Sequence, residues 1–470
     1  MTERSTARPG LVLLLVSVAA FLASLDLFIV NIAFPDIRLA FPGSDLGSMS
    51  WILNGYTVMF AAFLAPAGRL ADRYGRRRLF LIGVAVFTVA SAACALAVSI
   101  PMLVAFRVVQ AIGAALVMPT SLALLLTAFP AAKRSAAVGI WSAIGAMAAA
   151  LGPPLGGLLV EASWRWVFLV NLPIGVLALV FGPIVLRESR DTTTGVPDLV
   201  GAFALLTGVG SVTFALVEAP DHGWGSSTVL IGFCLGAAGL AWAVFRAGRH
   251  PVPVLDLASL KVPTLWLACL GMGLFSGGFA AMVFGNVLFL TGVWHDSILV
   301  AGLSQSPGPL AVVVVAVLAG RLAHRFGPGP IAALGGASFG LGAAFWLWRM
   351  GSVPHYAADM LPGQLLTGTG VGLLMPSLSA VVGTVLPPDR WGAGSSMINT
   401  ARQIGTVLGT AILVVILGGA QDLAAFRHGW VFIVVTSAGA ALVGCFIAVR
   451  RRSDHHQPAP ETGVVSVAAG

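Results

Sequence analysis

The sequence predicts an all-α polytopic membrane protein with two six-helix bundles and two inserted helices, fourteen membrane-spanning helices in all. The first observation is composition, since 58% of the 470 residues are hydrophobic and 9% are charged. Soluble chains carry about 25% charged residues. The second is that apolar stretches of about 20 residues, long enough to cross a bilayer, recur from end to end. The third is a repeated charged phrase, which indicates duplicated halves.

Apolar runs give the spans and basic residues give their orientation. The spans lie approximately at residues 11–33, 50–68, 79–98, 101–124, 136–160, 167–186, 199–217, 228–245, 264–291, 298–319, 330–348, 357–381, 393–418 and 430–449. With the N-terminus inside, 20 of the 26 Lys and Arg residues fall in cytoplasmic segments and four fall outside. Because cytoplasmic loops carry the excess of basic residues, we expect both termini in the cytoplasm. Only two of the 26 are lysines, a bias typical of GC-rich bacterial genomes, so the expected location is a bacterial cytoplasmic membrane.

The repeat defines the expected domains. Gly68–Gly75 returns as Gly320–Gly327, 252 positions later and with six of eight residues identical, and Met118-Pro119 returns as Met375-Pro376. Eight spans fit this distance, so each half has six helices and two more separate the halves. The domains are then an N-terminal bundle (1–190), two inserted helices (191–262), a C-terminal bundle (263–450) and a disordered cytoplasmic tail (451–470). Duplicated bundles of membrane helices are typical of secondary transporters.

Enzyme signatures do not occur in the sequence, so we expect no catalysis. It has neither a Gly-Lys-Ser phosphate loop nor a helix with His-x-x-x-His spacing. Its four cysteines are scattered through apolar stretches, which indicates neither disulfides nor a metal site, and we expect no metal and no cofactor. The net charge of +8 belongs to cytoplasmic loops rather than to a nucleic-acid surface. The expected partners are the lipid bilayer, protons and a small-molecule substrate, bound by a functional monomer.

The first copy of the repeated phrase resembles the cytoplasmic loop signature of the major facilitator superfamily. Its residues are Gly68-x-x-x-Asp72-Arg73-x-Gly75-Arg76-Arg77. The resemblance implies that Asp72 is a conformational latch that pairs with arginines and favours the outward-open state. The alternative is a plain positive-inside anchor with a solvated carboxylate. In the second copy His324 replaces the aspartate, so the two loops are not expected to do the same work.

Two further motifs are similar to signatures of that superfamily. Arg107-x-x-Gln110-x-x-Gly113 in the fourth span looks like its proton-linked signature. Gly152-Pro153-Pro154-Leu155-Gly156-Gly157 in the fifth span looks like the antiporter signature, which separates exporters from uptake members. Prolines remove helix hydrogen bonds and small residues allow close packing, so a hinge between the halves is expected there. A packing kink is the alternative.

The segment Leu25–Pro35 closely resembles the first-helix motif of the fourteen-helix drug:proton antiporter family. Asp26 is the only acidic residue placed well inside a span, and it lies at about the same depth as Arg107. Burial disfavours a charged carboxylate and a neighbouring arginine favours it, so this pair is the expected proton-coupling site. A permanently ionised structural pair is the alternative.

The thirteenth span carries Arg402-Gln403-x-Gly405, another pattern that resembles that family. Arg402 lies about 18 Å deep at 1.5 Å per residue, and its own half offers it no acidic partner within the membrane. Pairing with Asp26 across the cavity and binding of substrate are both open. Four side chains are expected to line the substrate cavity: Asn31, Gln110, Arg402 and Gln403.

Together these features predict proton-coupled efflux of a drug, antibiotic or other amphipathic organic compound by alternating access. Two alternatives are a proton-coupled uptake symporter for a small nutrient and a non-transporting membrane sensor. The segment Gly152–Gly157 argues against uptake, and a sensor would need a cytoplasmic output domain.

Overall fold

The computed structural model describes residues 9–190, 198–387, 390–418 and 422–455, and the regular secondary structure of these residues is helical throughout. The first half and the inserted segment contain α1 (Pro9–Ala40), α2 (Leu46–Tyr74), α3 (Arg76–Ala95), α4 (Ile100–Ala128), α5 (Ala131–Ala162), α6 (Trp166–Leu169), α7 (Asn171–Val185), α8 (Leu199–His222) and α9 (Ser227–Ala247). The remainder contains α10 (Leu257–Leu260), α11 (Pro263–Gly292), α12 (Ile298–Ser304), α13 (Pro307–Phe326), α14 (Pro328–Arg349), a π-helical turn (Tyr356–Met360), α15 (Leu361–Val385), α16 (Trp391–Leu417) and α17 (Leu423–His455).

The described residues form a multi-pass helical membrane protein. Twelve of their helices are long and apolar enough to cross a bilayer, or thirteen when the two arms of α2, bent by 48° near Pro66, count as one span. The sequence predicted fourteen. The remaining predicted span, 136–160, overlaps the 32-residue helix α5, several of whose side chains lie outside the described set.

Several helix boundaries differ from the prediction. Helix α1 continues to Ala40 rather than ending at 33, because apolarity marks where the membrane ends and not where the helix ends. The predicted spans 167–186 and 298–319 are each broken in two, the second just before Pro307, where proline suits the first turn of α13. Helix α17 extends through His455, into the predicted disordered tail; arginines near a helix C-terminus are favourable. Residues 456–470 lie outside the described part of the chain.

Buried apolar side chains join the two halves at one end. The largest cluster includes Phe34 of α1 and Phe284 of α11, whose rings meet edge to face with centroids 4.7 Å apart. These residues lie toward the predicted outer side. Toward the predicted cytoplasmic side each half has its own cluster, one around Val12 and Phe80 and another around Ile331. The halves therefore share a core toward the predicted outer side, and the first half has a core of its own toward the other side.

The inserted pair α8–α9 is attached where the halves meet. Val58 of α2, Leu205 of α8 and Val407 of α16 belong to one buried cluster, so α8 packs against both halves. Asp198 caps α8 and accepts a 2.8 Å hydrogen bond from Arg246 of α9. Burial raises the pKa of Asp198, but the hydrogen bonds from Arg246 and from the Gly201 amide outweigh burial and leave the pKa below its ordinary value.

Candidate functional site

Asp26 of α1 and Arg107 of α4 form an ion pair inside the first bundle, and their side chains are 0% and 1% exposed. A charged side chain at the centre of a lipid-facing helix costs about 2.5–3.5 kcal/mol on insertion scales. Pairing inside the bundle avoids that cost. Breaking a buried pair by removing one partner is expensive, because the other charge is left uncompensated. The structure thus brings together the two residues that the sequence predicted for proton coupling.

Neutral polar groups complete the network around the carboxylate. Gln110, one turn along α4 from Arg107, donates from Nε2 to Asp26 Oδ1 at 2.9 Å and to Ser91 Oγ at 2.8 Å, while its Oε1 accepts from Arg107 at 2.7 Å. Asn171 of α7 donates to Ser91 Oγ at 3.3 Å and reaches Asp26 Oδ1 at 3.5 Å. The Asp26 carboxylate therefore faces donors from α4 and α7 at once.

The guanidinium of Arg107 is also fixed by α2. Its Nε donates to the backbone carbonyl of Ile52 at 3.1 Å, and its Cζ lies 4.1 Å from the centre of the Tyr56 ring. A cation over an aromatic face gains about 2 kcal/mol or more when it is buried. Arg107 is held by α2 and α4 while Asp26 is carried by α1. A movement of α1 against these helices would separate the charges.

Close packing of α3 on α4 positions this network. A Cβ built on Gly113 would lie 2.5 Å from Phe87 N and 2.8 Å from Gly83 O. Only glycine fits there, because real Cβ atoms do not come so close to backbone. The contact brings Ser91 of α3 next to Gln110 of α4. The third residue of the predicted proton-linked signature is thus a packing residue.

The predicted antiporter motif lies between α1 and α12. A Cβ on Gly152 would lie 2.7 Å from Phe28 Cβ, and one on Gly156 would lie 3.1 Å from Ile29 Cγ1, both on α1. On its other side, Gly157 faces Leu299 of α12, where a Cβ would lie 2.9 Å from Leu299 Cα.

The next contact along α5 also joins the halves. The carbonyl of Pro153 closely approaches Gly302 of α12. The motif contacts the first helix through one face and the second half through another.

The loop motif folds back on its own half. Asp72 pairs with Arg76, whose Nη2 lies 2.7 Å from Oδ1. Gly75, with φ of 116°, makes the turn into α3. The Arg77 guanidinium donates to the carbonyls of Pro183 and Leu186 at 3.4 and 3.3 Å, at the end of α7.

Two further features of this loop were not predicted. Glu188 accepts hydrogen bonds from the amides of Arg77 and Arg78 at 3.0 and 3.1 Å and thereby caps the first turn of α3. Gly68 packs on Pro119, 3.4 Å from a built Cβ. The His324 side chain of the second copy lies outside the described set.

The other predicted cavity residues are not brought to Asp26. Asn31 is half-buried and donates to the Leu27 carbonyl at 2.7 Å. Arg402 has no ion-pair partner among the acidic side chains described, and Asp26 is occupied by Arg107. Buried Nε of Arg402 and Nε2 of Gln403 have no hydrogen-bond partner in the described part of the chain.

Sequence reasoning assigned Gln110 to the cavity, whereas the structure buries it in the network around Asp26. It also missed Ser91, Asn171 and Tyr56, which complete that network. Asn171 could have been noticed as an amide within an apolar stretch. Serine and tyrosine are too common in membrane helices to be singled out.

Fold and site together define a class: a helical membrane protein with two similar halves and a buried, hydrogen-bonded carboxylate in its first helix. Comparison with known proteins gives the family. A family model described as Major Facilitator Superfamily matches residues 16–308 and 294–469. The chain belongs to the major facilitator superfamily.

Among relatives, the multidrug resistance protein Stp of Mycobacterium tuberculosis is 34% identical over 462 residues, covering 95% of this chain and 85% of that protein. The tetracenomycin C resistance and export protein of Streptomyces glaucescens is 35% identical over 416 residues, covering 87% of this chain and 76% of that protein. The fold is similar to that of a bacterial homologue of the human lysosomal transporter Spinster in an inward-facing and unoccupied conformation. That likeness has a TM-score of 0.68 at 18% identity and covers 97% of this chain and all of that one.

Proposed function

We propose that this protein exports a drug, antibiotic or other amphipathic organic compound from the cytoplasm in exchange for protons. Two of its relatives are named for multidrug resistance and for resistance and export. The observation that carries the proton coupling is the wholly buried Asp26 carboxylate, held by Arg107 and Gln110 inside a membrane bundle. An ionisable group at that depth is a functional site by default.

Proton exchange at Asp26 follows from the competition for its carboxylate. While Arg107 is paired, the carboxylate is charged and its charge is compensated. When α1 moves away from α2 and α4, a bare carboxylate would remain in an apolar bundle, and a proton neutralises it. The proton is therefore taken up in one arrangement of the helices and released in the other.

Helix α5 supplies the link between this site and the halves. Gly152 and Gly156 pack on α1 next to Phe28 and Ile29, within one turn of Asp26. Gly157 packs on α12 of the other half. A displacement of α1 on protonation changes the α1–α5 contact, and α5 transmits it to the interface between the halves.

The loop motif is the proposed latch for the outward-open state, in which the cytoplasmic ends of the two halves are closed. With the predicted outer side closed, Asp72 pairs with Arg76 of its own loop. When the cytoplasmic ends close, Asp72 comes within reach of the second half and stabilises the outward-open state. The whole motif takes part, with Gly68, Arg73, Gly75 and Arg77 shaping the turn.

Fourteen spans in a six, two and six arrangement, with both termini in the cytoplasm, are the proposed topology. The domain bounds are 1–190, 191–262 and 263–450, and the working unit is a monomer in a bacterial cytoplasmic membrane. The 20-to-4 distribution of basic residues supports the orientation. Reporter fusions in the loops near Gly223 and Gly248 test it, since the proposal puts the first outside and the second inside.

Counterflow in inside-out vesicles tests the transport function. The vesicle interior is made acidic, a panel of dyes and antibiotics is added, and the luminal pH is followed. We expect substrate-induced alkalinisation that Asp26→Asn abolishes and Glu161→Gln keeps, since Glu161 is an exposed carboxylate at the end of α5. Alkalinisation that survives in Asp26→Asn would refute coupling through Asp26. A panel without any response would exclude these compounds as substrates and favour either a narrower substrate or the sensor alternative.

A further inference from the structure

One face of α16 carries a row of polar side chains. Asn399, Arg402 and Thr406 follow one another at the three- and four-residue spacing that places side chains on one helix face. All three are half-buried. Arg402 is the only charged residue of α16.

Two other sides of α16 are occupied by neighbouring helices. Gly409 comes against the backbone of Gly277 of α11, where no side chain would fit. Val407 belongs to the buried cluster that contains Val58 of α2. The polar row lies between these two sides and borders the α11 contact, since Gly409 follows Thr406 by three residues.

The polar row lies on a helix that has no exposed residue over most of its length. None of the residues 396–417 of α16 is exposed, whereas on α9 Leu235 is 58% exposed and Phe245 is 44% exposed, as expected of a helix that faces lipid. Because α16 lacks the exposed side chains that a lipid-facing helix carries, space inside the protein is the best explanation for the partial exposure of Arg402. A charged side chain deep in a membrane protein normally faces such an interior cavity.

Donors on α16 are left without acceptors. Arg402 Nε and Gln403 Nε2 are buried and have no hydrogen-bond partner among the described residues, and the Gln403 side chain is only 5% exposed. The Asp26 carboxylate is already engaged by Arg107, Gln110 and Asn171. Unpaired buried donors next to a cation indicate that an acceptor from outside the chain completes the site.

We propose that Arg402 and Gln403 bind the anionic group of an amphipathic substrate, such as a carboxylate, a sulfonate or an ionised phenol. This inference rests on the proposed export function and names its substrate class. A guanidinium offers paired N–H donors that match two oxygens of one anionic group. Because Asp26 and Arg107 neutralise each other, Arg402 gives the cavity a positive charge, which disfavours cationic substrates.

Electrical driving force is a second consequence. Export of a monovalent anion against entry of one proton moves two charges in the direction that the membrane potential favours. A neutral substrate moves one such charge. Since each charge supports a gradient of about 40-fold at 100 mV, an imposed potential should accelerate anion export more than export of a neutral analogue.

The test uses two probes that share one skeleton. 8-Anilinonaphthalene-1-sulfonate is permanently anionic, and N-phenyl-1-naphthylamine is the same molecule without the sulfonate. Their fluorescence is titrated with the full chain in nanodiscs, and empty nanodiscs give the background. Arg402→Gln, Arg402→Lys and Gln403→Ala are compared with Arg321→Gln, a control at an exposed position near the end of α13.

We expect Arg402→Gln to weaken sulfonate binding by about tenfold or more, the range for a hydrogen bond to a charged group. Binding of the neutral probe should stay unchanged. Arg402→Lys should keep part of the sulfonate affinity, which separates charge recognition from misfolding. Equal weakening of both probes in Arg402→Gln, or unchanged sulfonate binding, would overturn the proposal.

The vesicle assay separates this inference from the export function on which it rests. Proton movement driven by the neutral probe and lost in Asp26→Asn, without Arg402-dependent sulfonate binding, would overturn the anion site and leave export standing. Arg402-dependent sulfonate binding without any proton movement would support the site and refute proton-coupled export.

Discussion

Equivalent positions of the two halves carry different polar side chains, although the helices around them pack in the same way. Aligning Met118-Pro119 with Met375-Pro376 places Arg107 of α4 opposite Gln364 of α15. Arg107 binds Asp26, whereas Gln364 donates to Gln305 at 3.0 Å and accepts from Tyr356 at 3.1 Å. Helix α11, which occupies in the second half the place of α1, contains no acidic residue.

The close helix contacts at Gly113 and Gly370, in contrast, are equivalent in the two halves. Gly113 approaches Phe87 N, and its counterpart Gly370 approaches Phe339 N, with built Cβ atoms at 2.5 and 2.6 Å. Both halves need this close approach of two helices in order to fold. The charged pair has no counterpart at the equivalent positions of the second half, as expected if it serves the transport cycle that we propose.

The largest expected effect comes from making the first half like the second. Arg107→Gln leaves Asp26 buried without its partner, so we expect a loss of about 3–5 kcal/mol in the free energy of unfolding and loss of proton exchange. Unfolding in mixed micelles measures the first. The double variant Asp26→Asn, Arg107→Gln removes both charges and should recover most of that stability; failure to recover would contradict the ion pair as the cause.

Alanine substitution at the two glycine contacts should lower stability by a similar amount in each half. Gly113→Ala and Gly370→Ala each force a methyl group into backbone, at an expected cost of about 1–3 kcal/mol in unfolding free energy. Gly320→Ala is the matched control, because nothing lies within 4 Å of its built Cβ; it should be neutral or stabilise the helix by up to about 1 kcal/mol. A large difference in unfolding free energy between Gly113→Ala and Gly370→Ala would contradict the equivalence of the two contacts.

The neutral network of the second half should matter less. Gln364→Met removes a hydrogen-bonded amide of similar length without leaving a charge, so we expect a loss of about 1 kcal/mol in unfolding free energy. Proton movement in vesicles should remain. Its abolition would show that the second half shares the coupling chemistry.

The smallest effect is expected at the link between the inserted segment and the second half. Asp256 accepts a 3.0 Å hydrogen bond from Arg390. Burial raises the pKa of Asp256, but hydrogen bonds from Ser259 and the Arg390 guanidinium outweigh burial and leave the pKa lowered. A partly exposed pair contributes less than about 1 kcal/mol.

Because the folded-state pKa of Asp256 lies below its unfolded value of 3.8, its contribution is present above that pH and is lost as the pH falls through the folded-state value. The melting difference between the wild type and Asp256→Asn should therefore be constant from pH 7 to about 5 and shrink toward zero below pH 4. A melting difference that grows as the pH falls would contradict a lowered pKa of Asp256.

Prediction from sequence succeeded where a charged residue stands within an apolar stretch. Asp26 and Arg107 stand out because charges are rare in apolar spans, and their similar predicted depth suggested a pair. The end of α1 was misjudged because its helix continues beyond the apolar stretch to Ala40. Ser91 and Asn171 were missed because their role depends on how α3, α4 and α7 pack, which no local pattern records.

In the proposed mechanism the buried carboxylate of the first half exchanges a proton for substrate. The direct measurement is proton release on substrate binding, recorded with purified protein in weakly buffered solution and a compound that is active in vesicles. We expect substrate-dependent proton release in the wild type and in Glu161→Gln, and none in Asp26→Asn at equal occupancy. Equal proton release from Asp26→Asn would rule out Asp26 as the proton carrier.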